Sequence, residues 1–99
     1  MKSLKNKTTE ILVKKGEEKC ITYMDLAKNC LNTLPQGGLD ITEMIARQDV
    51  YKLLEKSNGE VKFSTKTEQE TLKRCVKAMK WETFHQDVID FVKDVEKLD

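Results

Sequence analysis

Three cysteines and one histidine are the side chains best suited to thiol or metal chemistry, and their spacing does not assemble them. Cys20, Cys30 and Cys75 are far apart and form no C-x-x-C pair, so neither a redox dithiol nor a zinc knuckle is indicated. A nucleophilic cysteine would need His85 within hydrogen-bond reach as its base. Cys30 and Cys75 instead occupy apolar positions of amphipathic segments, where cysteine behaves as a small hydrophobe. His85 sits near Ile89 and Val92 at the edge of an apolar face and reads as a half-buried structural residue. Gly37-Gly38 follows a helical segment rather than a strand, and no Lys-Ser or Lys-Thr comes after it, so it is a helix stop and not a phosphate loop. Glu17-Glu18 falls in a turn without a cleft and offers no acid–base pair. The expectation is a chain that is not an enzyme, with no catalytic residue, metal, cofactor or small-molecule substrate.

What the sequence does offer is charge in rows. Lys66, Lys73, Lys77 and Lys80 fall in one narrow stripe of a helix, beside an apolar face made by Leu72, Cys75, Val76 and Met79 at i, i+3, i+4, i+7. The next segment carries Phe84, Val88, Phe91, Val92, Val95 and Leu98 on one face and Asp87, Asp90 and Asp94 on its back. Trp81 stands at the corner between them, and tryptophan is enriched in interface hot spots. These eight residues, Lys66, Lys73, Lys77, Lys80, Trp81, Asp87, Asp90 and Asp94, are the expected partner-binding set. Each also has an ordinary reading: spaced lysines are commonly a solvated helix face, the opposite rows can satisfy each other within one molecule, and a corner tryptophan can cap its own core.

The net charge of +1 predicts no partner, but its distribution is uneven. Residues 1–19 hold six lysines against three glutamates, residues 62–80 sum to +4 and residues 81–99 to −4. Such asymmetry favours self-association, nucleic-acid binding or an internal ion-pair network. Three scattered cysteines fit a reducing compartment. No apolar run approaches the roughly 18–20 residues of a membrane span, and the basic MKSLKNKTTE lacks the apolar core of a signal peptide. The expected location is cytoplasmic: a host's cytoplasm, or a virion, if the chain is phage-encoded.

The elements that must position these residues are legible in outline. Residues 1–8 read as a flexible basic tail and 9–99 as a single domain, since a chain of this size has one core. Ile11-Leu12-Val13 and Lys19-Cys20-Ile21 suggest a hairpin turned at Lys15-Gly16-Glu17. Thr22, with Asp25 three residues on, caps a helix whose face is Tyr23, Ala27, Cys30, Leu31 and Leu34, stopped by Pro35-Gln36-Gly37-Gly38. A second helix begins near Asp40 or Thr42. Its apolar residues occupy two sides: Ile41, Met44, Ile45 and Tyr51 against Ala46, Val50, Leu53 and Leu54. Either it is sandwiched between two layers, the favoured reading, or it breaks at Asp49. After Ser57-Asn58-Gly59, Val61-Lys62-Phe63 alternates as a strand that should pair with Lys19–Ile21. Thr67/Glu70 and Thr83/Gln86 match capping boxes for the last two helices. The fold class is α+β, helix-dominated: about four helices with a two- or three-stranded sheet, in the order β(β)ααβαα.

ITYMDL, the PQGG stop, LDITEM and the MKW corner together resemble small uncharacterised proteins encoded by bacteriophages. That resemblance implies a virion component or a host-factor binder and transfers no functional residue. The functional expectation is a non-enzymatic protein–protein interaction or assembly module, binding another protein or copies of itself. The alternative is a small winged-helix-like nucleic-acid-binding transcriptional regulator, using the lysine stripe or Lys52 and Lys56. Against it, residues 50–57 are short and apolar for a groove reader.

Overall fold

A computed structural model describes residues 3–12, 20–57, 59–81 and 85–98, and leaves the side chain of Leu12 undescribed. The strands are β1 (Ser3–Lys5), β2 (Thr8–Leu12), β3 (Cys20–Thr22) and β4 (Glu60–Lys62); the helices are α1 (Tyr23–Asn32), α2 (Ile41–Lys56), α3 (Lys66–Ala78) and α4 (Gln86–Glu96). The α+β class and the order of elements agree with the sequence reading, with one strand added at the start. No helix among the described residues is long and apolar enough to cross a membrane.

The strands form two antiparallel pairs rather than one sheet. β2 pairs with β3, Thr8 opposite Thr22 and Leu12 opposite Cys20, with an irregularity between them. β4 does not join β3 as expected. It pairs with β1, setting Leu4 opposite Val61. The reason is burial, and β3, only three residues long, runs directly into α1. Leu4 and Val61, by contrast, share one inward face at 3% and 0% exposure. Residues expected to be a flexible tail are therefore partly core. Asn6 and Lys7 tie this segment down: the Asn6 N–H donates to the Gly59 carbonyl, and the Tyr23 N–H donates to the Lys7 carbonyl, each at 2.9 Å. Gly59 has φ +83°, a conformation that glycine adopts without strain. The expected turn at Lys15-Gly16-Glu17 lies outside the described residues, as does Asn58.

Helix starts follow local chemistry. Thr22 and Asp25 form the expected capping box. For α3 the box is Thr65/Glu68, not Thr67/Glu70. Both pairs match the pattern, but only the earlier one recruits Ser64, whose N–H and hydroxyl both donate to Glu68 Oε1 at 2.9 and 3.1 Å. α4 begins at Gln86, capped by His85. Thr83 of the expected box, and Phe84, lie outside the described residues. α1 ends at Asn32, one turn before the proline, so Leu34 leaves the helix and stands 65% exposed.

Phe91 is fully buried at the centre of the core. Its ring meets Tyr23 edge-on, centroids 5.2 Å apart, and Trp81 likewise at 6.3 Å, an arrangement that the ring quadrupoles favour. Around it pack Ala27, Cys30 and Leu31 of α1, Leu72, Cys75 and Val76 of α3, Val95 of α4, and Leu98 beyond its end. α2 contributes Val50 and Leu54. Phe91→Ala should cost about 3–5 kcal/mol in urea unfolding, and Leu4→Ala about 2–4 kcal/mol. A Leu4 variant as stable as the parent would return residues 3–5 to the status of a tail.

Candidate interaction surface

α2 is one unbroken helix, so the reading with a break at Asp49 does not hold, and the helix-turn-helix drawn through it loses its recognition helix. Nor is α2 sandwiched. Val50 and Leu54 are buried at 0% and 2% exposure, while Ile41, Met44 and Ile45 stand 66%, 49% and 53% exposed. The spacing i, i+3, i+4 places these three on one face. The second layer that the sequence pattern demands is missing among the described residues of this chain. Together the three side chains present on the order of 300 Å2, at the size where an apolar patch on a monomer is commonly functional. Ile45 also lines a shallow concavity of about 540 Å3 between α2 and the start of α3, with Ala46, Leu53, Thr67 and Thr71, and with Asp49 and Lys52 at its edge.

The first turns of α2 are held rigidly in this attitude. Asp40 caps the helix, its Oδ1 accepting from the Glu43 N–H at 2.8 Å. Glu43 gathers the only two arginines of the chain: Arg47 Nε at 3.2 Å and, from α3, Arg74 Nη2 at 2.8 Å. Arg47 then reaches the Thr33 carbonyl at 2.8 Å and the Leu31 carbonyl at 3.4 Å, satisfying the end of α1. Burial opposes the Glu43 charge, but hydrogen bonds from Arg74 and Arg47 outweigh it and hold the carboxyl below its ordinary value.

The expected lysine stripe divides. Lys73 is half-buried and donates to the Leu98 carbonyl at 2.6 Å, which ties α3 to the residue past α4. Lys66, Lys77 and Lys80 are exposed, and no hydrogen bond or ion pair holds them to the described residues. They do not share one site. Lys77 borders a groove of about 630 Å3 between α3 and α4, floored by Val76, Met79, Trp81, Val88 and Val92. Lys80 borders a different hollow with Cys30, Pro35 and Met79. Lys66 lies at the opposite end of α3, on the order of 20 Å away. Trp81 is half-buried against Phe91, as its core-capping reading requires.

The acidic row divides as well: Asp87 and Asp94 meet the N-terminal segment rather than the lysines of α3. Asp87 Oδ2 accepts from the Glu10 N–H at 2.8 Å, and Asp94 Oδ2 pairs with Lys7 Nζ at 3.3 Å. Asp90 is exposed and accepts from Gln86 of its own helix at 3.0 Å. Burial, then the charges of Asp94, Asp90 and Asp87, push the Tyr23 hydroxyl up to about 12.

Neither of the two buried thiols is primed for nucleophilic attack. Burial pushes Cys30 up to about 12 and raises Cys75 as well, which keeps both protonated and poorly nucleophilic. His85 Nδ1 accepts from the Asp87 N–H at 3.0 Å, an N-cap role that its sequence context did not announce. Glu10, His85 and Asp87 lie close enough for a metal ion to bridge. However, His85 Nδ1 and Asp87 Oδ2 already accept backbone N–H groups, and the trio is accounted for as the dock between β2 and the start of α4. Neither a protein-family model, a curated protein nor a solved structure matches this chain, so the functional argument rests on its own geometry.

Because the Glu43 carboxyl is lower in the folded than in the unfolded chain, the clamp stabilises above the ordinary carboxylate pKa of 4.5 and is lost as pH falls through and below it. Glu43→Gln should cost about 1–2 kcal/mol near neutral pH. It should also flatten the stability curve between about pH 5 and pH 3. An acid limb identical to the parent's would remove Glu43 from that role. Cys30 and Cys75 should react with a thiol reagent only at the rate of unfolding.

Proposed function

We propose that this chain is a non-enzymatic protein–protein interaction or assembly module that docks through the outer face of α2. The observation carrying this reading is the exposure of Ile41, Met44 and Ile45 on a helix whose opposite side is core. Water gives no reason to place three large aliphatic side chains on one exposed face, whereas burial of that face against another surface does. The buried thiols and the use of His85 as a helix cap support a binding role over a catalytic one. A virion component or a host-factor binder is the setting that the phage-like stretches imply.

The charged rows take lesser parts. Lys73, Asp87 and Asp94 serve the fold, and Lys66, Lys77 and Lys80 remain for steering a partner by long-range attraction. Nucleic-acid binding by these lysines would show an affinity whose logarithm falls linearly with log salt.

The test replaces the face while leaving the core alone. The triple variant Ile41→Ser, Met44→Ser, Ile45→Ser should unfold in urea within about 0.5 kcal/mol of the parent, measured at a concentration where light scattering shows monomer. Its binding of a hydrophobic dye should fall. A loss of several kcal/mol would mean that the face is covered within the chain, and the docking reading would fail.

A further inference from the structure

We infer that residues 32–49, the turn after α1 together with the first half of α2, form a strap that opens independently of the rest of the molecule and is latched shut at Glu43. The inference rests on packing within the chain, and it stands whether or not the α2 face is a docking site.

From Asn32 to Asp49 no residue is buried. None of the apolar side chains in this stretch belongs to the core or packs against it. Leu34, Ile41, Met44 and Ile45 are open to water. Burial resumes abruptly on either side, at Leu31 and Val50, which are 4% and 0% exposed. At Gly37 and Gly38 an added Cβ would meet no atom within 4 Å, so the turn stands clear of the body there. Where Ile45 and Ala46 face Thr67 and Thr71 of α3, the two helices are separated by the shallow concavity rather than joined by a packed seam.

With no apolar burial to hold it, the strap is fastened by polar ties. Arg74 Nη2, from α3, donates to both carboxylate oxygens of Glu43, at 3.0 and 2.8 Å. Arg47, itself set by Glu43 at 3.2 Å, donates from Nη1 to the Thr33 carbonyl at 2.8 Å and to the Leu31 carbonyl at 3.4 Å. The bond to Thr33 joins the two ends of the strap to each other; those from Arg74 and to Leu31 reach the body. Arg74 is 53% exposed, and an ion pair so exposed contributes little. The first turns of α2 have equally little to keep them, because a helical stretch that short is marginal in water without tertiary support. Opening therefore breaks a few polar contacts and uncovers no core, whereas global unfolding must also expose Phe91 and Leu72. Such a segment sits at the low end of a protein's local stabilities. Ile41, Met44 and Ile45 ride on the strap, so the face that they form exists only while Glu43 holds. A ligand of the closed face would strengthen the latch by mass action.

Amide hydrogen exchange of the full chain, read residue by residue by NMR in water and in urea below about 1 M, tests this. In the parent, the amides of Met44–Asp49 should be protected, but on the order of 100-fold less than those of Leu72–Val76 and Phe91–Val95. Low urea should leave their exchange unchanged, because opening exposes little new surface. Val95→Ala should lower protection in α3 and α4 about ten-fold or more and leave Met44–Asp49 as it was. Arg74→Gln should lower protection at Met44–Asp49 by about three- to ten-fold. Protection at Met44–Asp49 equal to that of α3 and α4, or reduced in step with theirs by Val95→Ala, overturns independent opening. If Val95→Ala does not fold, the parent decides alone: a urea dependence at Met44–Asp49 as steep as that of α4 overturns it. Exchange at Met44–Asp49 that ignores Arg74→Gln, or that shows no protection even in the parent, overturns the latch.

Discussion

The contact on which this structure depends is the burial of Phe91 between Tyr23 and Trp81. A helix-dominated chain of 99 residues can close one core, and this ring fixes where it closes. It draws α4 onto α1, and the corner after α3 onto both. Once that site is filled, α1, α3 and α4 share their apolar faces with one another. α2 enters with only its C-terminal half, through Val50 and Leu54, and its other side has no described element left to meet. The exposed aliphatic strip therefore follows from how the core is partitioned. A larger chain would add a layer there.

The same partition explains the two charged rows. Rows that look like paired addresses in the sequence have unlike fates because packing turns one inward and leaves the other out. Asp87 and Asp94 lie beside Tyr23, which the core pulls in, so the nearest backbone and cation, Glu10 and Lys7, satisfy them, and Asp90 stays exposed. Placing the basic N-terminal residues beside them is the cheaper solution electrostatically. It uses charges already tethered by the β1 and β2 pairings, and it needs no partner from solution. The α3 lysines point to three separate places and keep their charge in water, except for Lys73.

Much of this was legible from periodicity and caps. The faces of α1, α3 and α4, the Thr22 box, the start of α2 near Asp40 and the pairing of β2 with β3 all follow from local pattern, and local pattern is where sequence reading is strongest. What escaped it was non-local. Nothing near Leu4 announces that Val61 is its neighbour, because strand pairing is decided by which apolar faces the rest of the core can bury together. Thr65 and Thr67 offer equivalent capping boxes, and the choice turns on Ser64 reaching Glu68. The two-sided pattern of α2 was visible, but a pattern states only which residues prefer burial, and whether a second layer exists depends on the rest of the chain. The candidate site was thus present in the sequence as an excess of apolar residues, attributed to the wrong cover.

The pairing of β1 with β4 also orders events in time. Ser3–Lys5 cannot find its partner until Glu60–Lys62 has been made, more than fifty residues later, and Phe91 arrives later still. At about 5–20 residues per second, the first strand and the start of α1 must wait several seconds during synthesis with Leu4, Tyr23 and Met24 uncovered. Contacts this distant in sequence also slow the closing step. Closure of the core is in that sense deferred until α4 has been made, and the lysine-rich residues 1–19, charged and reluctant to aggregate, are suited to the interval.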